Sequence, residues 1–146
     1  MNRKQVRTFT RTAVNAMTPA VEFGSGEISD FNSLRSHKYP SVWMALSSVS
    51  GSNSKAAAPV DDWDIELIIA QKDALDSDPE QYEDIIDHCD EIAQKLMYNY
   101  NKIVSGYKLV TLSNRKREPF VKKYADCLTG VKLMFTMNIP DQTNVC

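Results

Sequence analysis

The stretch "CLTGVKLMFTMNIP", residues 127–140, decides the fold. Val131, Leu133, Phe135, Met137 and Ile139 alternate with Lys132, Met134, Thr136 and Asn138. A period of two belongs to an extended strand with one face turned to a core. Pro140 lacks the N–H that a continued ladder needs, so it ends the strand. Gly130, near the start, marks a bulge or a close approach of another backbone. Beyond it, residues 141–146, "DQTNVC", form a short polar C-terminal arm.

A strand this apolar on one face requires partner strands and a covering layer, and both are legible upstream. In "DWDIELIIA", residues 62–70, Trp63, Ile65, Leu67 and Ile69 alternate with Asp62, Asp64 and Glu66, a half-buried antiparallel strand. "SVWMALSSV", residues 41–49, is a second strand with Val42, Met44 and Leu46 on one side; residues 50–59 join the two as a flexible hairpin tip. "YKLVTLS", residues 107–113, is another strand, "NRKREP" a basic turn, and "FVKKYAD" either strand or loop.

The covering layer is a helix over residues 79–104. Tyr82, Ile85, Ile86, Cys89, Ile92, Ala93, Leu96, Met97, Tyr100 and Ile103 make one apolar stripe. Asp78 serves as N-cap, Pro79 suits the first helical position, and Gln81 completes a capping-box spacing. At 1.5 Å per residue it is about 39 Å long, enough to cross a sheet, and Gly106 follows as a stop. A shorter N-terminal helix over residues 3–17 sets Val6, Phe9, Ala13 and Met17 against a basic back of Arg3, Lys4, Arg7 and Arg11. Residues 21–40 read as a long Gly- and Ser-containing loop. The expected fold is α+β, in the order α-β-β-α-β-β. An antiparallel sheet of about four strands carries the long helix across one face, within a single domain of residues 1–146.

Nothing in the 146 residues assembles a catalytic set. His88 shares a helical face with Asp84 and Glu91, but one helix supplies all three and no second His or Cys cluster completes a shell, so a solvated acidic face opposite the apolar stripe is the better account. Cys89, Cys127 and Cys146 lack metal-ligand spacing and are an odd set, which fits a reducing compartment. Nucleophile elbows, phosphate loops and zinc-protease motifs are absent. No apolar run is long enough for a membrane span, and no apolar segment follows the basic N-terminus, so no signal peptide is expected. Neither a cofactor nor a metal is expected, nor an enzyme.

The charge layout is more informative. Residues 61–91 hold thirteen Asp and Glu against Lys72 alone, a local charge of -12, although the whole chain stands at only -2. Residues 102–123 hold seven Lys and Arg against Glu118, a charge of +6, and the N-terminal helix adds +4. Such blocks either pair within the chain or meet the opposite block of a neighbouring copy, head to tail, which closes rings. The candidate interface residues are Arg3, Lys4, Arg7 and Arg11; Asp61, Asp62, Asp64 and Glu66; and Arg115, Lys116, Arg117, Lys122 and Lys123. Alternatively "NRKREPFVKKY", with Phe120 and Tyr124 among its cations, suits phosphate contact and stacking by a nucleic-acid-associated protein, although a sequence pI of 5.7 argues against a dedicated binder.

With the hairpin, the acidic helix and the closing strands in place, the chain resembles the tail-terminator and head–tail joining proteins of tailed bacteriophages. The ending D-x-L-T-G-V-[KR]-x-x-F-x-[ML]-x-[IV]-P, here Asp126 to Pro140, is similar to that of small neck and collar-ring proteins, including those of crAss-like phages. The resemblance implies a non-enzymatic virion subunit that forms a ring, hexameric or dodecameric, between portal and tail. Its partners would be copies of itself, neighbouring portal, neck and tail proteins, and DNA passing through the channel. Residues 47–59, 141–146 and 23–39 would be the parts that reach neighbours.

Overall fold

A computed structural model describes residues 2–18, 20–27, 40–52, 60–106, 110–124 and 127–140. The chain begins with helix α1 (Arg3–Asn15) and strands β1 (Glu22–Gly26), β2 (Ser41–Ala45), β3 (Ser48–Ser52) and β4 (Val60–Lys72). Helix α2 (Pro79–Val104) and strands β5 (Thr111–Lys123) and β6 (Leu128–Pro140) complete it. The arm at residues 141–146, the tip residues 53–59 and residues 28–39 of the expected loop lie outside the described residues.

The opening stretch forms β6, and β4 pairs with it antiparallel along its whole length, from Val60 opposite Pro140 to Lys72 opposite Leu128. Around this pair the expectation fails. The sheet is six-stranded and mixed rather than antiparallel with about four strands. Its order is β1-β2-β4-β6-β5, with β3 also paired to β4, and β1 runs parallel to β2. Three local causes explain the difference.

First, residues 22–26, read as loop, add an edge strand. Gly24 sits opposite Trp43, and a Cβ there would lie 2.5 Å from the indole ring. The glycine that suggests a loop is what lets Trp43 lie across β1, where its Nε1–H donates to the Gly26 carbonyl at 3.3 Å. Second, the expected strand at residues 41–49 breaks in two. Met44 faces Leu67 while Ser48 faces Asp64, so residues 45–47 oppose only residues 65 and 66, a bulge. The slip turns Leu46 out of the core, 62% exposed. Third, "NRKREP" is no turn but the middle of β5. A register shift between Ser113 and Lys116, with Asn114 at φ 55°, absorbs its turn-like composition as a second bulge. Asn is among the side chains that tolerate this left-handed backbone best.

Gly130 belongs to the close-approach class: a Cβ there would stand 1.9 Å from the Ile69 carbonyl oxygen of β4. Both helices pack on one face of the sheet. Val6, Phe9, Ala13 and Val14 of α1 and Cys89, Ile92, Ala93, Leu96, Met97 and Tyr100 of α2 meet the inward faces of β2, β4 and β6. Reciprocal capping boxes, Asn2 with Gln5 and Asp78 with Gln81, begin the two helices. Gly106 adopts no left-handed cap; its N–H reaches the Ile103 carbonyl at 3.1 Å. Among the described residues no helix lies on the opposite face of the sheet. That face is polar along Asp62, Asp64, Glu66, Lys132 and Thr136, and at one end Trp43, Ile68, Ala70, Phe120 and Leu128 form a second apolar cluster.

Candidate interaction surfaces

The fold disperses the residues singled out by charge and satisfies many of them internally. On α1, the Arg3 guanidinium lies 5.6 Å from the Trp63 ring centroid and that of Arg11 5.7 Å from Phe23, cation–π contacts that spread the helix's positive charge over aromatic faces. On β4, Asp62 accepts from the Asn138 amide, Asp64 from the Thr136 hydroxyl at 2.9 Å, and Glu66 pairs with Lys132 at 3.3 Å. These acids are therefore bonded across to β6. Asp61, opposite Ile139, is half-buried.

On β5, Lys116 pairs with Glu118 at 2.6 Å and Arg117 with Asp90 of α2 at 3.5 Å. The Lys116 ammonium holds the Glu118 carboxyl below its ordinary range. Lys122 donates to the carbonyls of Leu75 at 3.1 Å and Ser77 at 2.8 Å, and its ammonium stands 5.7 Å from the Tyr82 ring centroid. Lys122 thus fastens the loop between β4 and α2. Lys123, opposite Leu128, is exposed. Arg115 remains at the bulge and lines, with Lys116 and Arg117, a cleft of about 480 Å³ against α2. Its floor is Met97 and Leu133, and Tyr98, 68% exposed, is on its rim.

One network was not legible in the sequence. The Lys122 N–H donates to the Thr129 hydroxyl at 3.1 Å, and that hydroxyl donates to the Asp73 carboxylate at 2.6 Å. Burial raises the Asp73 pKa, but the hydrogen bonds from Thr129, Ser77 and the Ala74 amide, together with the Lys122 charge, outweigh it and hold the carboxyl below its ordinary value. Asp73 and Thr129 are far apart in sequence, and only the β4–β6 register brings them together.

Among the described residues no group of three His, Cys, Asp or Glu side chains is placed to hold a metal ion. Burial pushes the Cys89 thiol up to about 12, with Asp90 adding to the rise, which leaves it protonated and unreactive at neutral pH. Among the described residues no helix is long and apolar enough to cross a membrane.

Another surface combines charge with unsatisfied groups. At the start of α1, Arg3, Lys4 and Arg7 border a pocket of about 300 Å³ whose other wall is Ser25, Gly26 and residues 44–47. The first turn of the helix carries no acid. Sequence inspection finds the cations; it does not find the pocket, which the bulge between β2 and β3 creates. No protein-family model matches the chain, and no curated protein matches it.

Proposed function

We propose that the chain is a non-enzymatic structural subunit of the head–tail connector or tail-terminator ring of a tailed bacteriophage. It would assemble with copies of itself and with adjoining portal, neck and tail proteins. The observation that carries this is the acidic face of α2. Glu80, Glu83, Asp84, Asp87 and Glu91 are all exposed, and none forms an ion pair among the described residues. Several nearby cations are used elsewhere: Arg3 and Arg11 on aromatic rings, Lys122 on loop carbonyls, and Lys116, Arg117 and Lys132 on other acids. Such an uncompensated flank is suited to a positively charged neighbour. The sheet face turned away from α1 and α2 and the bulged, cationic edge strand β5 offer further area for lateral contact without uncontrolled strand addition.

The same internal pairing argues against the nucleic-acid alternative. Lys116, Arg117 and Lys122 are engaged within the chain, and the acidic helix beside β5 would repel phosphates. Cryo-EM of the particle produced from the genome that encodes this chain is the test. Density for a ring of this fold between portal and tail is the expected result. A complete particle in which the chain is absent would sink the proposal.

A further inference from the structure

Deepening that proposed function, we infer that the pocket at the start of α1 receives the acidic β4–α2 loop of a second copy of the chain. The pocket is built for an anion. Lys4 and Arg7 face it with no ion-pair partner among the described residues, and Arg3 adds a third positive charge. Two residues that line it each bury a polar atom with no hydrogen-bond partner among the described residues: Arg7 its Nε, and Ser47, only 7% exposed, its Oγ. Buried polar atoms are ordinarily satisfied, so both mark the pocket wall as incomplete within one chain. Beside them Leu46 stands 62% exposed on the bulge, so the complementary segment should carry an apolar side chain among acids.

The chain has such a segment. In "DALDSDPE", residues 73–80, Leu75 is 83% exposed and is followed by the exposed acids Asp76, Asp78 and Glu80. Lys122 of β5 holds this loop at one edge of the sheet, whereas the pocket lies at the β1–β2 edge. Two complementary patches at opposite edges make a heterologous, head-to-tail contact, the kind that repeats into a ring or filament.

The test uses the intact protein and backbone amide NMR between about 20 µM and about 1 mM at low ionic strength, a range that reaches weak contacts. Signals from residues 4–7, 44–47 and 73–80 should move together with concentration. Lys4→Glu and Asp76→Lys, both at exposed positions, should each weaken self-association by about tenfold or more. An equimolar mixture of the two variants should restore association, because each then retains one intact patch to offer the other. Three results overturn the inference: no concentration dependence, shifts confined to other surfaces, or inorganic phosphate titrating the pocket without self-association. A ring seen in the particle with other surfaces in contact would reject this pairing and keep the proposed function. Self-association through these patches in a chain absent from the particle would do the reverse.

Discussion

Thr10 and Tyr100 show how one polar pair inside an apolar layer sets the mutual placement of two helices. Thr10 donates to the Val6 carbonyl at 3.1 Å, so in its bond with Tyr100 the phenol is the donor. Both residues are fully buried, and burial pushes the Tyr100 pKa above its ordinary value, keeping the phenol neutral. Removing the two hydroxyls should therefore have unequal effects. Tyr100→Phe leaves Thr10 its helical acceptor and should cost about 1 kcal/mol, while Thr10→Val strands a buried phenol and should cost about 1–3 kcal/mol. Urea unfolding of the two variants measures the difference. At Gly130 the constraint is steric: with the Ile69 carbonyl 1.9 Å from the added Cβ, Gly130→Ala should lose about 3 kcal/mol or more, or fail to fold, as melting temperature and expression will report.

At the level of elements, the bulges and the loop tether carry the testable consequences. Since the slip between β2 and β3 exposes Leu46 and leaves Met44 only 4% exposed, Leu46→Ser should change stability by less than about 0.5 kcal/mol, while Met44→Ala should cost about 2–5 kcal/mol. Equal losses at the two positions would restore the unbroken strand that simple alternation implies. The Lys122–Thr129–Asp73 network ties the β4–α2 loop to the β5–β6 hairpin. Because the folded-state pKa of Asp73 is held below its unfolded value of 3.8, its contribution is present above that value and is lost as pH falls through the depressed one. Stability measured from pH 6 down to pH 2 should therefore drop less steeply in Asp73→Asn than in the parent chain. Thr129→Val should cost about 1–3 kcal/mol by leaving the Lys122 N–H unsatisfied.

For the whole molecule, the decisive feature is that a chain of net charge -2 is strongly polar in its charge distribution and yet spends many cations internally. Duplex DNA should accordingly bind weakly even at low salt, with a shallow dependence on salt concentration; tight binding with a steep salt slope in a filter assay would return the function to nucleic acid. What the sequence by itself determined were the features that depend on near neighbours. The 79–104 helix follows from its apolar stripe and from Asp78 and Gln81, and β4 and β6 follow from the alternation over residues 62–69 and 131–139, although each strand runs to thirteen residues. The uneven charge was equally legible, since it requires only counting. Only the tertiary structure decided the rest, because it depends on register between distant segments. Residues 22–26 make a strand because β2 pairs with them in register, with Gly24 leaving room for Trp43, and "NRKREP" stays extended because β6 pairs on both sides of its bulge. The α1 pocket, likewise, exists because one extra residue between β2 and β3 turns Leu46 outward beside Arg7. Local composition at these places favours turns, and hydrogen bonding to a neighbouring strand outweighs it.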